Sequence, residues 1–101
     1  MAGSAYQVKL GREAVRQLRK LAKADQVRVR DALITQAAAV TVGDGSRGGK
    51  SLKRIRHPRE RIFRLRVGEL RVVFDLLAEE RTLLVLGILN RRDLERWLRG
   101  R

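Results

Sequence analysis

Two runs of alternating apolar and basic residues, Arg61 to Val67 (RIFRLRV) and Leu70 to Leu77 (LRVVFDLL), flank the pair Gly68-Glu69. This arrangement constrains the chain more than any other feature, because a two-residue turn between two strands fixes their register. Val67 must pair with Leu70, Arg66 with Arg71, Leu65 with Val72, Arg64 with Val73 and Phe63 with Phe74. Side chains on a strand alternate between faces. Phe63, Leu65, Val67, Leu70, Val72 and Phe74 therefore form an apolar slab, and Arg64, Arg66 and Arg71 share the reverse face. Like charges directly across a strand pair cost roughly a few tenths of a kcal/mol to 1 kcal/mol. Placing Arg66 opposite Arg71 makes sense if an anion sits over them. A solvated face partly neutralised by Asp75, which lies on the same side, is the plainer alternative.

The rest of the chain supplies what such a hairpin needs to fold. Thr82 to Ile88 (TLLVLGI) reads as a third antiparallel strand after a turn at Ala78 to Arg81. Upstream, Ala5 to Leu10 (AYQVKL) alternates as a short strand. Glu13 to Lys23 then reads as a helix with Ala14, Leu18, Leu21 and Ala22 on one side. Asp25 is the expected N-cap of a second helix, whose stripe is Val29, Leu33, Ala37 and Val40, ending near Thr41–Gly43. Asn90 is expected to cap a last helix, with Asp93 at its third position and Leu94, Trp97 and Leu98 on one side. The predicted architecture is α+β in the order β-α-α-β-β-β-α: an antiparallel meander with a helical hairpin packed on one face. With 101 residues the chain holds one domain, residues 1–101. Aromatics are only 4% of it, so Leu, Val, Ile and Ala must build the core.

Charge narrows the partner. The 24 Lys and Arg against 11 Asp and Glu give a formal net charge of +13, which attracts polyanions such as nucleic acid or an acidic protein. The excess concentrates between Arg47 and Arg71, where the only acids are Glu60 and Glu69. Without cysteine there is no disulfide, thiolate metal site or Cys nucleophile, which fits a reducing compartment. No apolar run is long enough to span a membrane. Met1 to Ser4 lacks the basic-then-apolar pattern of a signal peptide, so a cytoplasmic location is expected. One His and scattered carboxylates give no ligand cluster, so no metal or cofactor is expected. Gly43 to Lys50 (GDGSRGGK) suggests a phosphate loop, but the first required glycine falls on Asp44 and the loop follows a helix, so it reads as a connector. His57, beside Pro58, reads as a loop histidine.

The element order, Leu52 after the glycine-rich loop, the segment Arg64-Leu65-Arg66-Val67-Gly68-Glu69-Leu70-Arg71-Val72-Val73-Phe74 and the run Asn90-Arg91-Arg92-Asp93-Leu94 together resemble the RelE/ParE toxin superfamily. The resemblance spans roughly Tyr6 to Leu98. Leu70 stands where an aromatic is usual, and Asn90 where His or Lys is common. The resemblance implies a fold akin to small microbial ribonucleases and an acidic antitoxin partner. It implies one of two activities: ribosome-dependent cleavage of mRNA in the A site, as in the RelE branch, or poisoning of DNA gyrase, as in the ParE branch. A basic RNA-binding domain with no toxin role is a third reading, which charge alone allows. On the first reading Arg64, Arg71 and Arg91 match the catalytic positions, with mRNA and ribosomal RNA as partners. Arg71 and Arg91 would stabilise the phosphorane, and Arg64 would assist proton transfer or phosphate binding. Lys53, Arg54, Arg56, Arg61, Arg66, Arg92 and Trp97 would bind RNA. A lysine of the family site falls on Ile62 and its tyrosine on Trp97, where packing competes with stacking on a base.

Overall fold

In the computed structural model, residues 6–40, 52–56 and 61–100 are described. The glycine-rich stretch, His57 and Pro58 lie outside them. Among the described residues, five strands and three α-helices follow one another as β1 (Gln7–Leu10), α1 (Arg12–Arg19), α2 (Lys23–Ala39), β2 (Leu52–Ile55), β3 (Ile62–Val67), β4 (Leu70–Leu77), β5 (Thr82–Asn90) and α3 (Leu94–Arg99). The strands form one sheet in the order β1-β5-β4-β3-β2. The α+β class and the β3-β4-β5 meander are as expected, and so is every pair of the β3–β4 register from Phe63–Phe74 to Val67–Leu70. The sheet is wider than the expected one. β2 adds an antiparallel edge beside β3, and β1 joins β5 in parallel. A two-residue turn lets neighbouring strands find each other locally, whereas the β1–β5 seam depends on a long-range crossover.

The stripe foreseen for the second helix is the face that α2 buries: Val29, Leu33, Ala37 and Val40 are all nearly inaccessible. They pack with Ala14 of α1 and with Phe63, Leu65, Val72, Phe74, Leu83, Val85 and Ile88 into the main core. Helix boundaries differ from expectation. α1 ends at Arg19, and Ala22 is the exposed N-cap of α2 rather than part of the first stripe. Asp25 is the third residue of α2, where its charge favours the positive end of the helix without capping it. The short break is held instead by Gln26, whose Nε2 donates to the Leu21 carbonyl at 3.0 Å.

The reverse face of the sheet is not wholly open, as a layer of helices on one face would have left it. Ile62, Val73, Leu89 and Leu94 form a second small core, with Ile55, Leu86, Trp97 and Leu98 packed around it. Two features allow this. A bulge between Val73 and Phe74 pairs Val73 with Gly87 and Phe74 with Val85, so β5 supplies apolar side chains to both faces. Gly87 also leaves room for the Trp97 ring: a Cβ there would lie 3.1 Å from Trp97 Cζ2. Beyond Leu10 the edge of β5 has lost its β1 neighbour, and Gln17 of α1 takes over, its Oε1 accepting from the Ile88 N–H at 2.6 Å. Glu13 accepts from Gln17 Nε2 at 3.4 Å and from Trp97 Nε1 at 3.3 Å, tying α1 to α3. No helix among the described residues is long and apolar enough to cross a membrane.

Candidate nucleic-acid interface

The β3–β4 register puts Arg64, Arg66 and Arg71 on the face opposite the helical hairpin, and the β2–β3 register sets Lys53 directly across from Arg64. Two like-charged cross-strand pairs, Lys53–Arg64 and Arg66–Arg71, therefore stand side by side. Gly68, at φ +60, makes the tight turn that enforces this pairing. The turn also holds the most buried cation of the group. Arg71 is 8% exposed, and its Nη1 donates to the carbonyls of Gly68 at 3.2 Å and Leu70 at 3.0 Å. Burial first, then the charges of Arg64, Arg91 and Arg66, lower the pKa of Arg71, and Glu69 opposes them. Arginine nonetheless stays cationic throughout the working range. A base whose folded pKa lies below its unfolded value favours the unfolded state wherever it is charged, so here the cost persists at neutral pH. Arg66→Gln is accordingly expected to raise stability by about a few tenths of a kcal/mol to 1 kcal/mol. The gain should shrink as salt screens the repulsion. Thermal melts of both proteins at low and high salt would check this, and a salt-independent loss would contradict it.

At the same end of the sheet, β5 runs to Asn90 opposite Leu70, and the Arg91 N–H donates to the Glu69 carbonyl at 3.1 Å. Asn90 makes no side-chain capping bond, and a 3-10 turn over Arg91–Asp93 separates it from α3. Arg91 and Arg92 thus precede the helix rather than begin it. Glu69, Asn90, Arg91, Arg92 and Glu95 line a shallow groove of about 570 Å³ beside the arginine cluster.

The expected residues therefore divide. Arg64, Arg66, Arg71 and Arg91 converge, Lys53 adjoins them, and Arg92 lines the groove. Arg54 pairs with Phe63 and so belongs to the other face, at the sheet edge. Arg56 and Arg61 are exposed at the end of the sheet away from the Gly68 turn. Trp97 lies over Gly87 with its indole N–H bonded to Glu13, as a packing residue does. Ile62, at the family's lysine position, is fully buried. One cation was missed: Arg28 of α2 reaches the hairpin turn, its Nη2 3.0 Å from where a Cβ on Gly68 would lie. It is 61% exposed and sits 3.7 Å from Asp25. Its sequence position marks only an exposed helix site, and only the packing of α2 on the sheet brings it to the turn.

The family model described as "ParE toxin of type II toxin-antitoxin system, parDE" matches residues 8–95. The fold matches the RelBE2 toxin–antitoxin complex of Mycobacterium tuberculosis at TM-score 0.68 and 20% identity, covering 87% of this chain and 100% of the other. The archaeal RelE–RelB complex of Pyrococcus horikoshii gives 0.66 at 19% identity, covering 87% and 97%. Isolated RelE of E. coli gives 0.58 at 17% identity, covering 96% and 100%. No curated protein sequence matches this chain. The solved structures share the fold, and the family match over residues 8–95 makes the chain a toxin of the type II toxin–antitoxin class. The chain belongs to the ParE toxin family, within the RelE/ParE superfamily.

Proposed function

We propose that this toxin cleaves messenger RNA on the ribosome and so halts translation, acting in the cytoplasm. The observation that carries this reading is the convergence of Arg64, Arg66 and Arg91 on the buried Arg71. In-line attack of a ribose 2′-oxygen builds extra negative charge on the phosphorane. Cations held in place before the reaction stabilise that charge without reorganising. Arg71 is suited to this because the turn carbonyls fix its guanidinium and the surrounding protein shields it from water. Arg91, Arg64 and Arg66 supply further phosphate contacts, Lys53, Arg92 and Arg28 extend the basic rim, and the ribosome positions the strand. Induction of the toxin without its partner, followed by mapping of mRNA 5′ ends within minutes, is expected to reveal cuts in translated codons. Gyrase-linked DNA breaks with intact mRNA would overturn the proposal.

A second reading, a toxin that binds gyrase or RNA without cutting, is favoured by Ile62 and Trp97. An aliphatic side chain and an indole can serve as neither acid nor base, and here the first is buried and the second bonds to Glu13.

The partner in either case is an acidic antitoxin, and the chain offers a surface suited to one. Val8, Leu10, Leu18, Val27, Leu33 and Ile34 line an apolar groove of about 470 Å³, rimmed by Lys23 and Arg30. Val27 and Ile34 are exposed large hydrophobics. An amphipathic segment with apolar residues on one side and acids on the other would match it. Ile34→Glu is expected to weaken antitoxin binding by about 10-fold or more. Ile34 is 57% exposed, so the fold should be unaffected. Titration calorimetry with the cognate antitoxin is the check, and unchanged affinity would remove the groove from the interface.

A further inference from the structure

A nuclease reading needs a group that accepts the proton of the attacking 2′-hydroxyl, and Arg64, the residue expected to assist proton transfer, is a poor base because arginine stays cationic. We propose that Glu69 is the general base of this site, acting on the ribose whose 3′-phosphate lies over Arg71 and Arg91. The assignment rests on the cleavage reading and deepens it.

The described acids narrow to Glu69 by position and by partner. Glu13 is occupied by Gln17 and Trp97, Asp25 is paired with Arg28, and Asp93 accepts from Arg96 at 3.0 Å. Asp31 is exposed on α2, which packs on the other face of the sheet. Glu79 and Glu80 occupy the turn at the far end of β4. Asp75 lies opposite Ile62, away from the cluster, and is already engaged. Glu69 and Glu95 remain, both lining the groove beside Arg91. Of these two, Glu69 is the carboxylate whose charge reaches Arg71. Its backbone is anchored, since its carbonyl accepts the Arg91 N–H, and its residue is exposed to an incoming strand. A base must lie next to the phosphate site without being neutralised in it. The turn achieves this by placing Glu69 two residues before the buried cation and directly beside Arg91.

In the step proposed, the Glu69 carboxylate takes the 2′-hydroxyl proton while the 2′-oxygen forms a bond to phosphorus. The bond from phosphorus to the 5′-oxygen breaks, and that oxygen receives a proton from solvent water. The products are a 2′,3′-cyclic phosphate and a 5′-hydroxyl, and Glu69 returns its proton to solvent.

The test uses the full-length toxin on ribosomes programmed with a defined mRNA, under single-turnover conditions. Glu69→Gln is expected to slow cleavage by about 10²- to 10⁴-fold. Its melting curve should shift only slightly downward, because the charge that offsets the arginine cluster is lost, and its affinity for the programmed ribosome should not fall by more than about twofold. Glu69→Asp should recover part of the rate. An mRNA with sulfur in place of the scissile 5′-oxygen, whose leaving group needs no proton, should leave the Glu69→Gln defect in place. Rescue by that substrate would make Glu69 an acid and overturn the assignment. So would a Glu69→Gln rate within about threefold of the parent, or a loss explained by weaker binding. If the parent toxin itself leaves the mRNA intact, the cleavage reading falls, and the base assignment falls with it.

Discussion

Arg71→Ala is expected to slow mRNA cleavage by about 10²- to 10³-fold, the usual loss when one preorganised donor to a developing oxyanion is removed. Growth arrest on induction should disappear with it. The size of the effect follows from the setting of the side chain. Arg71 is 8% exposed, bonded to two turn carbonyls and flanked by Arg64, Arg66 and Arg91. Its charge is therefore held in place and screened less than that of a fully exposed arginine. Part of any loss will be structural, because the carbonyls of Gly68 and Leu70 lose their donor, at about 0.5–1.5 kcal/mol per bond. A melting curve measures that part. Arg71→Lys isolates the rest, since an ammonium keeps the charge but cannot bridge the turn and face a phosphate at once. Cleavage by Arg71→Ala within about threefold of the parent would remove this residue from the chemistry.

Phe74→Ala is expected to have the largest effect on stability, about 3–5 kcal/mol. Its ring is fully buried and stacks on Phe63 with centroids 5.5 Å apart and planes 15° from parallel. The two rings face each other across β3 and β4 and seat the hairpin on α2. For a domain of this size such a loss lowers the melting temperature by roughly 15–30 °C. Phe74→Leu, which keeps most of the volume, should cost less than about 1.5 kcal/mol. Calorimetric melts of the three proteins decide the matter, and a small shift for Phe74→Ala would mean that the site collapses freely. The hairpin's other face carries Arg64, Arg66 and Arg71, so the same loss should loosen the basic surface and lower RNA affinity.

What could be read from the chain in advance was what local chemistry determines. Gly68-Glu69 is short enough that the hairpin register, and with it the faces of three arginines, follows without knowledge of the rest. The α2 stripe was equally legible, because a 3.6-residue period over Val29 to Val40 has one interpretation. β2 was not. Leu52-Lys53-Arg54-Ile55 is four residues with two cations in the middle, and it is a strand because β3 offers it an edge. The parallel seam between β1 and β5 was equally hidden, since neither strand carries a mark of its partner. Trp97 and Ile62 belong to a second core that needs the bulge near Val73 and the bare Gly87, and neither leaves a pattern in the sequence. Arg28 and the shared groove of Glu69 and Arg91 depend on elements far apart in the chain meeting at one end of the sheet.

The parallel β1–β5 seam also bears on when the sheet can be completed. Gln7 of β1 meets Thr82 of β5, 75 positions later. A nascent chain leaving the ribosome has no seat for its first strand until Thr82 to Val85 have been made, and contacts between such distant segments form late in folding. Arg91 emerges later still. The hairpin with Arg64, Arg66 and Arg71 can form early, yet the finished surface waits for the last strand. A chain that stops short of β5 would carry the arginines of the hairpin without the β1–β5 seam and without Arg91 beside them.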